Sequence, residues 1–327
     1  MKVSIVIPSY NCGPKLADTI HSILRSEMAG IDAAELIVVD DGSKVPAEQS
    51  AGKISCSDRF TLRFIRQPNA GPGPARNTGF RAATGDLVMF IDDDIVVPPG
   101  LLQQYLAAHR KFPDAVVFGR SPFQNGTDNA AMRKFLSDTQ LDPTSGGEES
   151  YVELPVVGSG HIAFSPNHFR QENRVYRDDL RTPVADEIDF SLRLREKRIP
   201  YYFAPHIVAD HCQPVDLKTI CNQHYKHSMG VAEAYLLCPG ALDIPVVADH
   251  LRAHGPVVQS DAAATKLKKR FKALVAPARG AVLSCCSPMQ QVAPRSVRSM
   301  MYRVCLSLHY FAGFREGLRR FSVRRFI

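Results

Sequence analysis

The chain has 327 residues, of which 45% are hydrophobic and 22% are charged, a composition that can bury a large core and is not typical of disordered proteins. No stretch reaches the roughly 18 uncharged apolar residues of a transmembrane helix. The first residues, MKVSIVIPSYN, are typical of a buried strand rather than a signal peptide. We therefore expect a cytoplasmic protein, whose eight scattered cysteines are reduced thiols rather than metal ligands or disulfides.

The net charge of +7 is unevenly distributed along the chain. From Ala262 to the end there are 14 Lys and Arg residues against a single acid, Glu316. Residues 1–261 contain 26 basic and 32 acidic residues and are mildly acidic. This asymmetry predicts that the carboxy-terminal region meets an anionic surface such as a membrane, a nucleic acid or an acidic polymer.

In the first 120 residues, apolar runs alternate with helical patterns. Strands are predicted at 3–7, 35–39, 61–65, 87–91 and 115–120, and helices at 14–26, 74–84 and 99–111. Near-continuous apolar strands that are separated by helices indicate an α/β fold with a mostly parallel sheet covered on both faces.

The later segments are less regular. Residues 121–151 are polar and predict a flexible connection, after which strand character returns at 156–166. Segment 186–198 alternates as a strand would, but its i,i+4 apolar pairs, leading acids and trailing bases favour a helix. Helices are also expected at 217–237 and at 297–321, where an apolar stripe is flanked by arginines.

Two groups of carboxylates follow predicted strands. Asp40 and Asp41 come after 35–39, and Asp92 to Asp94 come after 87–91. Ligands of open parallel sheets bind at the carboxyl ends of the strands, so these acids line one crevice if the two strands are neighbours. Five carboxylates repel one another unless a cation lies among them, and Mg²⁺ or Mn²⁺ suits such ligands together with substrate phosphates. The alternative is that the acids only cap the turns after the strands.

Two further residues are expected at the same edge of the sheet. Tyr10 follows the first strand, and its ring is suited either to stacking on a base or to core packing. Arg76 follows a glycine–proline turn at the start of a helix, where anions are favoured. The turn GPGPAR does not match the dinucleotide-binding motif, and no P-loop motif occurs in the sequence.

Five segments occur in order between about residues 3 and 212: VSIVIPSYN, ELIVVDDGS, NAGPGPARNTGFRAATGDLVMFIDDD, VGSGHIAF and DEIDFSLRLREKR. With these motifs the sequence resembles the family 2 glycosyltransferases of the GT-A fold, a Rossmann-like architecture of nucleotide-diphospho-sugar transferases. The resemblance implies a catalytic domain over 1–212, with a nucleotide-binding half (1–120) and an acceptor half (121–212). A basic, amphipathic helical extension over 213–327 follows.

The resemblance also implies residues that bind the nucleotide. Pro8 and Tyr10 would line the base, which is usually uridine in this family. Asp41, rather than Asp40, would accept a hydrogen bond from the base. Arg76 would lie near the diphosphate.

By the same resemblance, the acidic triplet is the D-x-D element of the family. Asp92 or Asp93 would face the ribose, and Asp94, with Asp92 as a further candidate ligand, would bind Mn²⁺ or Mg²⁺ on the diphosphate. His211 matches a position that can complete the metal site, and His206 is a weaker candidate.

A general base near the acceptor hydroxyl is needed for inverting transfer. Family members carry Glu-Asp at the start of the late helix, where this chain has Asp186-Glu187. Glu187 falls at the position of the base and Asp186 is the neighbouring alternative. Both acids also suit the amino-terminal end of a helix without any catalytic role.

The resemblance thus implies a metal-dependent, inverting enzyme that moves one sugar from a nucleotide sugar, expected to be a UDP-sugar, to a hydroxyl of a sugar or lipid-linked acceptor in cell-envelope or surface polysaccharide synthesis. The Q-x-x-R-W element of processive synthases is absent, and NQHYKHSMG stands in its place. One alternative is a sugar-nucleotide nucleotidyltransferase, whose glycine-rich amino-terminal loop this chain lacks. Another is a non-catalytic nucleotide-sugar-binding relative, against which the intact acids argue.

For the basic region 262–327 we expect peripheral contact with the inner face of an anionic membrane, or packing on the catalytic domain or in a homodimer. Nucleic acid is not expected as a partner, because no recognition module is visible.

Overall fold

The computed structural model describes residues 1–122, 132, 135, 151–158, 160–213, 216–290 and 292–322. Most of the predicted connection 121–151 therefore lies outside the described residues. The chain divides into two compact units, an amino-terminal unit (1–125 and 142–213) and a helical unit (126–141 and 214–327).

The amino-terminal unit is built on a seven-stranded sheet. Its strands are Lys2–Ser9 (β1), Ala33–Asp40 (β2), Phe60–Arg66 (β3), Leu87–Ile91 (β4), Val116–Arg120 (β6), His161–Phe164 (β7) and Tyr201–Val208 (β8), in the order β3-β2-β1-β4-β7-β6-β8. Two short strands, Ile95–Val96 (β5) and Asp210–His211 (β9), pair antiparallel in a separate ribbon.

The mostly parallel sheet expected from the sequence is confirmed. Only β7 runs antiparallel, between β4 and β6. The two acid-bearing strands are not direct neighbours, because β1 lies between them and pairs with β2 on one side and with β4 on the other. All three strands are parallel, however, so their carboxyl ends meet at one edge of the sheet.

Both faces of the sheet are buried, which explains the unbroken apolar runs. In β4, Leu87, Met89 and Ile91 point into one cluster of buried residues, and Val88 and Phe90 point into another. Among the described residues of this unit, five α-helices accompany the sheet: Lys15–Leu24 (α1), the short Ala47–Ala51 (α2), Pro72–Ala82 (α3), Leu101–Lys111 (α4) and Pro183–Glu196 (α5).

Helix α5 resolves the ambiguous segment 186–198 in favour of a helix. The Thr182 side chain accepts a hydrogen bond from the Ala185 backbone N–H at the first turn, and Pro183 occupies a position where its missing N–H is not needed. Phe190 and Leu194 are buried.

The helical unit contains Leu217–Leu237 (α6), Pro245–His254 (α7), Ala263–Val275 (α8), Arg279–Met289 (α9) and Arg295–Phe321 (α10). Most of the apolar stripe predicted at 297–321 is buried, although Val304 is 45% exposed, and the long helix α10 packs on α6. A Cβ atom at Gly313 would lie 2.1 Å from the Tyr225 carbonyl oxygen, so only glycine permits this close approach. Among the helices that the structure describes, none combines the length and apolarity needed to cross a membrane.

Candidate active site

A cavity of about 450 Å³ lies at the edge of the sheet where β1, β2 and β4 end. Its volume is within the range of small-molecule sites. Eight of the predicted site residues line it, namely Pro8, Tyr10, Asp41, Arg76, Asp92, Asp93, Asp94 and His211. Asp40, Asp186, Glu187 and His206 are not among its lining residues.

Asp40 is buried and closes the turn after β2. Its carboxylate accepts hydrogen bonds from the backbone N–H groups of Ser43 (2.8 Å) and Ala47 (3.1 Å), and Arg66 lies 3.6 Å away. Although burial opposes it, these donors and the arginine lower the pKa of Asp40. The arrangement is that of a turn cap, and Asp40, unlike Asp41, does not line the cavity.

Asp41 holds the loop that precedes α3 against the end of β2. One carboxylate oxygen accepts from Gln67 Nε2 (2.8 Å) and the Ala70 N–H (2.9 Å), and the other accepts from Asn69 Nδ2 (3.1 Å) and the Gly71 N–H (2.9 Å). A carboxylate has about four acceptor sites. Asp41 therefore uses all four acceptor sites to hold the loop that forms the rim of the cavity. Its contact with a nucleotide base stays a prediction.

Arg76 is a buried cation on the cavity wall, with 2% of its surface exposed. Its Nη2 donates to Asp92 Oδ1 at 2.6 Å, and its guanidinium lies 5.5 Å from the ring centre of Tyr176. Burial favours the neutral form, but Asp92, Tyr176 and Asp186 raise the pKa of Arg76 further. Among the described residues, the enclosed Nε and Nη1 atoms have no hydrogen-bond partner, so the guanidinium is held mainly by Asp92 and by the ring of Tyr176.

The acidic triplet shows the repulsion that the sequence predicts. Burial, followed by Asp94 and Asp92, raises the pKa of Asp93 to about 6, despite a hydrogen bond from Ser9. The pKa of Asp92 is also raised by burial and by Asp94, against the opposing charge of Arg76. A cation placed among these groups would relieve both effects.

Asp94 and His211 come together through the β5–β9 ribbon, in which Ile95 pairs with His211. His211 Nε2 lies 3.1 Å from Asp94 Oδ1, and Gln213 Nε2 donates to Asp94 Oδ2 at 2.5 Å. Burial opposes both shifts, but the pair lowers the pKa of Asp94 and raises that of His211. A carboxylate and an imidazole thus form a hydrogen-bonded pair on the cavity wall.

The other candidate histidine, His206, lies on β8 and packs edge-on against Tyr151 at 5.2 Å between ring centres. It does not line the cavity. Of the two histidines, the structure therefore brings only His211 to the acidic triplet.

The two base candidates lie in the first turn of α5. Asp186 is fully buried, and its Oδ1 lies 2.8 Å from the position that a Cβ at Gly73 would take. A side chain at position 73 would thus collide with it. Glu187 is partly exposed. An acceptor hydroxyl must reach the base directly or through one water, so the exposure favours Glu187, and the role itself stays a prediction.

Sequence reasoning missed four residues of this site. Asn69 and Arg181 line the cavity, Gln213 lines it and binds Asp94, and Tyr176 supports Arg76. Gln213 lies two residues after His211, and this proximity was the one available signal. The position of Tyr176 depends on Asn77, whose Oδ1 accepts from the Tyr176 N–H at 2.9 Å across 99 residues of chain.

Comparisons with known proteins agree with this geometry. A family model described as glycosyl transferase family 2 matches residues 4–169. The succinoglycan biosynthesis protein ExoW of Rhizobium meliloti is 37% identical over 165 residues, which cover 47% of this chain and 48% of that protein. The chain thus spans about half the length of this curated relative.

Two solved structures share the fold. A mannosyltransferase from Pyrobaculum calidifontis, in complex with GDP-Man and Mn²⁺, has a TM-score of 0.57 at 16% identity, over 95% of this chain and 86% of that one. S. aureus TarS 1-349, in complex with UDP-GlcNAc, has a TM-score of 0.51 at 16% identity, over 98% of this chain and 92% of that one. These similarities confirm the expected GT-A fold.

Proposed function

The chain belongs to glycosyltransferase family 2, and from that premise we propose that its cavity binds a nucleotide sugar and transfers one sugar to an acceptor hydroxyl with inversion. The observation that carries the proposal is the cavity at the carboxyl ends of β1, β2 and β4, where the cation of Arg76 and the carboxylates of Asp92 to Asp94 share one wall. A fixed arginine charge at this edge of the sheet favours the diphosphate of a nucleotide sugar.

The nucleoside would occupy the part of the cavity lined by Pro8 and Tyr10. The Tyr10 ring is 54% exposed, which is unusual for an aromatic side chain and leaves a face for a base to stack on. Asp92 and Asp93 would face the ribose hydroxyls, where an acceptor-only carboxylate is well matched.

The donor set on the cavity wall fits a divalent cation. Among the described residues no group of three His, Cys, Asp or Glu side chains is arranged to hold a metal, but Asp94 and His211 supply two ligands. Diphosphate oxygens would complete the coordination, as is common for Mg²⁺ and Mn²⁺, and the imidazole favours Mn²⁺. When bound, the ion would neutralise the charge that develops on the leaving diphosphate.

The chain's own groups account for the remaining chemistry. Glu187 accepts the proton of the acceptor hydroxyl while the oxygen attacks the anomeric carbon from the face opposite the diphosphate. The bond from that carbon to the diphosphate oxygen breaks, and the electron pair leaves with the nucleoside diphosphate, which Arg76 holds. One displacement of this kind inverts the anomeric configuration.

The acceptor is proposed to be a saccharide in a polysaccharide or glycolipid, because the curated relative ExoW is a succinoglycan biosynthesis protein. The solved neighbours hold GDP-Man and UDP-GlcNAc respectively, so the base has to be found by experiment. A UDP-sugar remains our prediction. A homodimer and a cytoplasmic location stay predictions as well.

Thermal-shift measurements with UDP-, GDP- and dTDP-sugars, each with and without Mn²⁺, test the proposal. A ligand at about 100 times its Kd stabilises the folded state by about 2.7 kcal/mol, so the correct donor raises the melting temperature and does so only with the metal. Tyr10→Ala should lose most of this shift. Leu242→Ala, which removes a side chain of similar exposure (52%) outside the cavity, should keep it. If no nucleotide sugar shifts the wild type, the proposal is wrong.

A further inference from the structure

One helix of the helical unit leaves its apolar side uncovered. In α8, Leu267, Phe271 and Leu274 are 71%, 62% and 79% exposed. Their spacing of four and three residues places them within an arc of about 60° on one face of the helix. Three large apolar side chains in one row are unusual on a protein surface and indicate an interaction site.

The apolar row has basic residues on both sides. Lys268 and Arg270 are exposed and, from the helical period, flank the row on opposite sides. The helix contains no acidic residue. A partner for this face therefore has an apolar interior beneath an anionic surface.

The opposite face of α8 is fixed to the rest of the unit. Lys269 is buried, and its Nζ donates to Asp261 Oδ2 at 2.9 Å and to the Pro256 carbonyl oxygen at 3.0 Å. Lys272 Nζ donates to the Ala253 carbonyl oxygen at 3.2 Å. Because these contacts orient the helix, the apolar row faces outwards in the folded chain.

A cavity of about 430 Å³ adjoins the helix and is also lined by both apolar and cationic side chains. Its cationic side chains include Arg270 and Arg315, and its apolar lining includes Val257, Phe311 and Leu318. Such a cavity matches an anionic headgroup above the beginning of a hydrocarbon chain.

We propose that α8 lies in the interface of an anionic phospholipid membrane, with Leu267, Phe271 and Leu274 among the acyl chains and Lys268, Arg270 and Arg315 on lipid phosphates. The charge balance of the region, 14 bases to one acid after residue 262, favours a lipid surface over an acidic protein patch, because it attracts anionic lipids over a wide area. The proposal does not depend on nucleotide-sugar binding or transfer.

In this proposal the membrane-facing element is α8 and not the longer amphipathic helix α10. Most of the apolar stripe of α10 is covered by packing on α6. The shorter α8, with 13 residues, carries the exposed row instead and is too short to span a bilayer.

Co-sedimentation of the full chain with lipid vesicles tests the proposal without donor or acceptor. We expect binding to vesicles of phosphatidylcholine with one third phosphatidylglycerol, little binding to phosphatidylcholine alone, and loss of binding at high salt. Lys268→Glu with Arg270→Glu should lower partitioning by about fivefold or more for each changed residue. Leu267→Ser with Phe271→Ser should lower it at least as much. The matched controls Lys53→Glu with Arg63→Glu, and Val45→Ser, which change exposed residues of the amino-terminal unit, should bind as the wild type does.

The chain contains no tryptophan, so Phe271→Trp provides a single fluorescent probe on the proposed face. With anionic vesicles its emission should move to shorter wavelength and be quenched by lipids brominated in their acyl chains. Val45→Trp should show neither effect.

Equal binding to neutral and anionic vesicles, no binding to either, or an indole emission of the Phe271→Trp variant that lipid does not move would overturn the proposal. So would a lower oligomeric mass of the Leu267→Ser, Phe271→Ser variant in light scattering, because the face would then be covered by a second copy. Thermal shifts with the donor, measured on each variant, show separately whether the nucleotide site is intact.

Discussion

The buried ionisable groups around the cavity of the amino-terminal unit differ from those of the histidine cluster in the helical unit. Around the cavity of the amino-terminal unit, charged groups face one another, with Arg76 on Asp92 and His211 on Asp94. In the helical unit, four histidines surround Tyr310 with ring centres 4.5 to 6.0 Å away, and burial lowers the pKa of each of them. The first arrangement is suited to a charged ligand, whereas the second is a packed core whose polar rings stay neutral.

The comparison predicts that substitutions in the first unit change ligand binding and turnover, while changes in the second alter stability and its pH dependence. The largest effect on binding and turnover is expected at the proposed metal ligand Asp94. Asp94→Ala removes the carboxylate between His211 and Gln213, and we expect transfer to fall by about 10³-fold or more, because the leaving diphosphate loses its neutralising ion.

Calorimetry of UDP or GDP binding with and without Mn²⁺ measures this effect directly. Asp114→Ala, outside the cavity lining, is the matched control and should retain metal-dependent binding. Unchanged Mn²⁺-dependent binding by Asp94→Ala would show that the metal lies elsewhere.

The next largest effect is expected at the first turn of α5. Glu187→Gln keeps the size of the side chain and removes its basicity, so we expect normal donor binding and a loss of transfer of about 10²- to 10⁴-fold. Single-turnover rates with a saturating donor measure the loss.

Asp186→Asn separates the two base candidates. Because Asp186 is fully buried beside Gly73, its replacement should lower the melting temperature. The rate of sugar transfer by the folded enzyme should stay close to that of the wild type. Near-normal transfer by Glu187→Gln, together with loss in Asp186→Asn, would assign the base to Asp186.

Local pattern was sufficient to predict most of the amino-terminal unit. Strand β4 coincides with the predicted 87–91, and β1 and β2 extend their predictions by one or two residues at each end. Each of these runs is apolar on both faces, so its own residues indicate a buried strand without any knowledge of the strands it pairs with. The antiparallel insertion of β7 and the β5–β9 ribbon depend on pairing partners far along the chain, which no local pattern contains.

The same limit applies to the site. The triplet at 92–94 is visible in the sequence, but its partner His211 is 117 residues from Asp94, and only the β5–β9 ribbon brings them together. Asp40 and Asp41 are adjacent and chemically alike, yet one caps the turn at Ser43 and the other holds the loop at 67–71. Which of two neighbours faces a cavity is decided by the turn geometry.

In the helical unit, periodicity predicted helix α10 but not what covers its apolar face. The stripe of α10 and the row on α8 have the same helical spacing. One is buried against α6, and the other is exposed. Amphipathic pattern identifies a face that needs a partner, and only the fold shows which helix already has one.

The smallest of the predicted effects tests the neutral histidine core. His250 and His254 are 9% and 8% exposed, and burial, the largest cause in both, lowers their pKa values to about 4 and about 3. An unfolded histidine titrates near 6.5, so below that pH the unfolded chain binds protons that the folded chain does not. Stability is therefore unaffected above pH 7 and falls as the pH drops from 6.5 towards 4, by on the order of 2 kcal/mol for each buried histidine at pH 5.

Urea unfolding followed by circular dichroism at pH 7 and pH 5 measures this loss. The raised pKa of Asp93, to about 6, acts in the opposite direction, because the folded state protonates this carboxyl first. The histidine contribution is therefore isolated by the difference between wild type and His250→Phe, which should lose less stability on acidification. His21→Phe, at an exposed position of α1, should behave as the wild type does. If His250→Phe shows the full wild-type loss, protonation of this core does not set the acid stability, and the contrast between the two units would have to rest on the charged cavity alone.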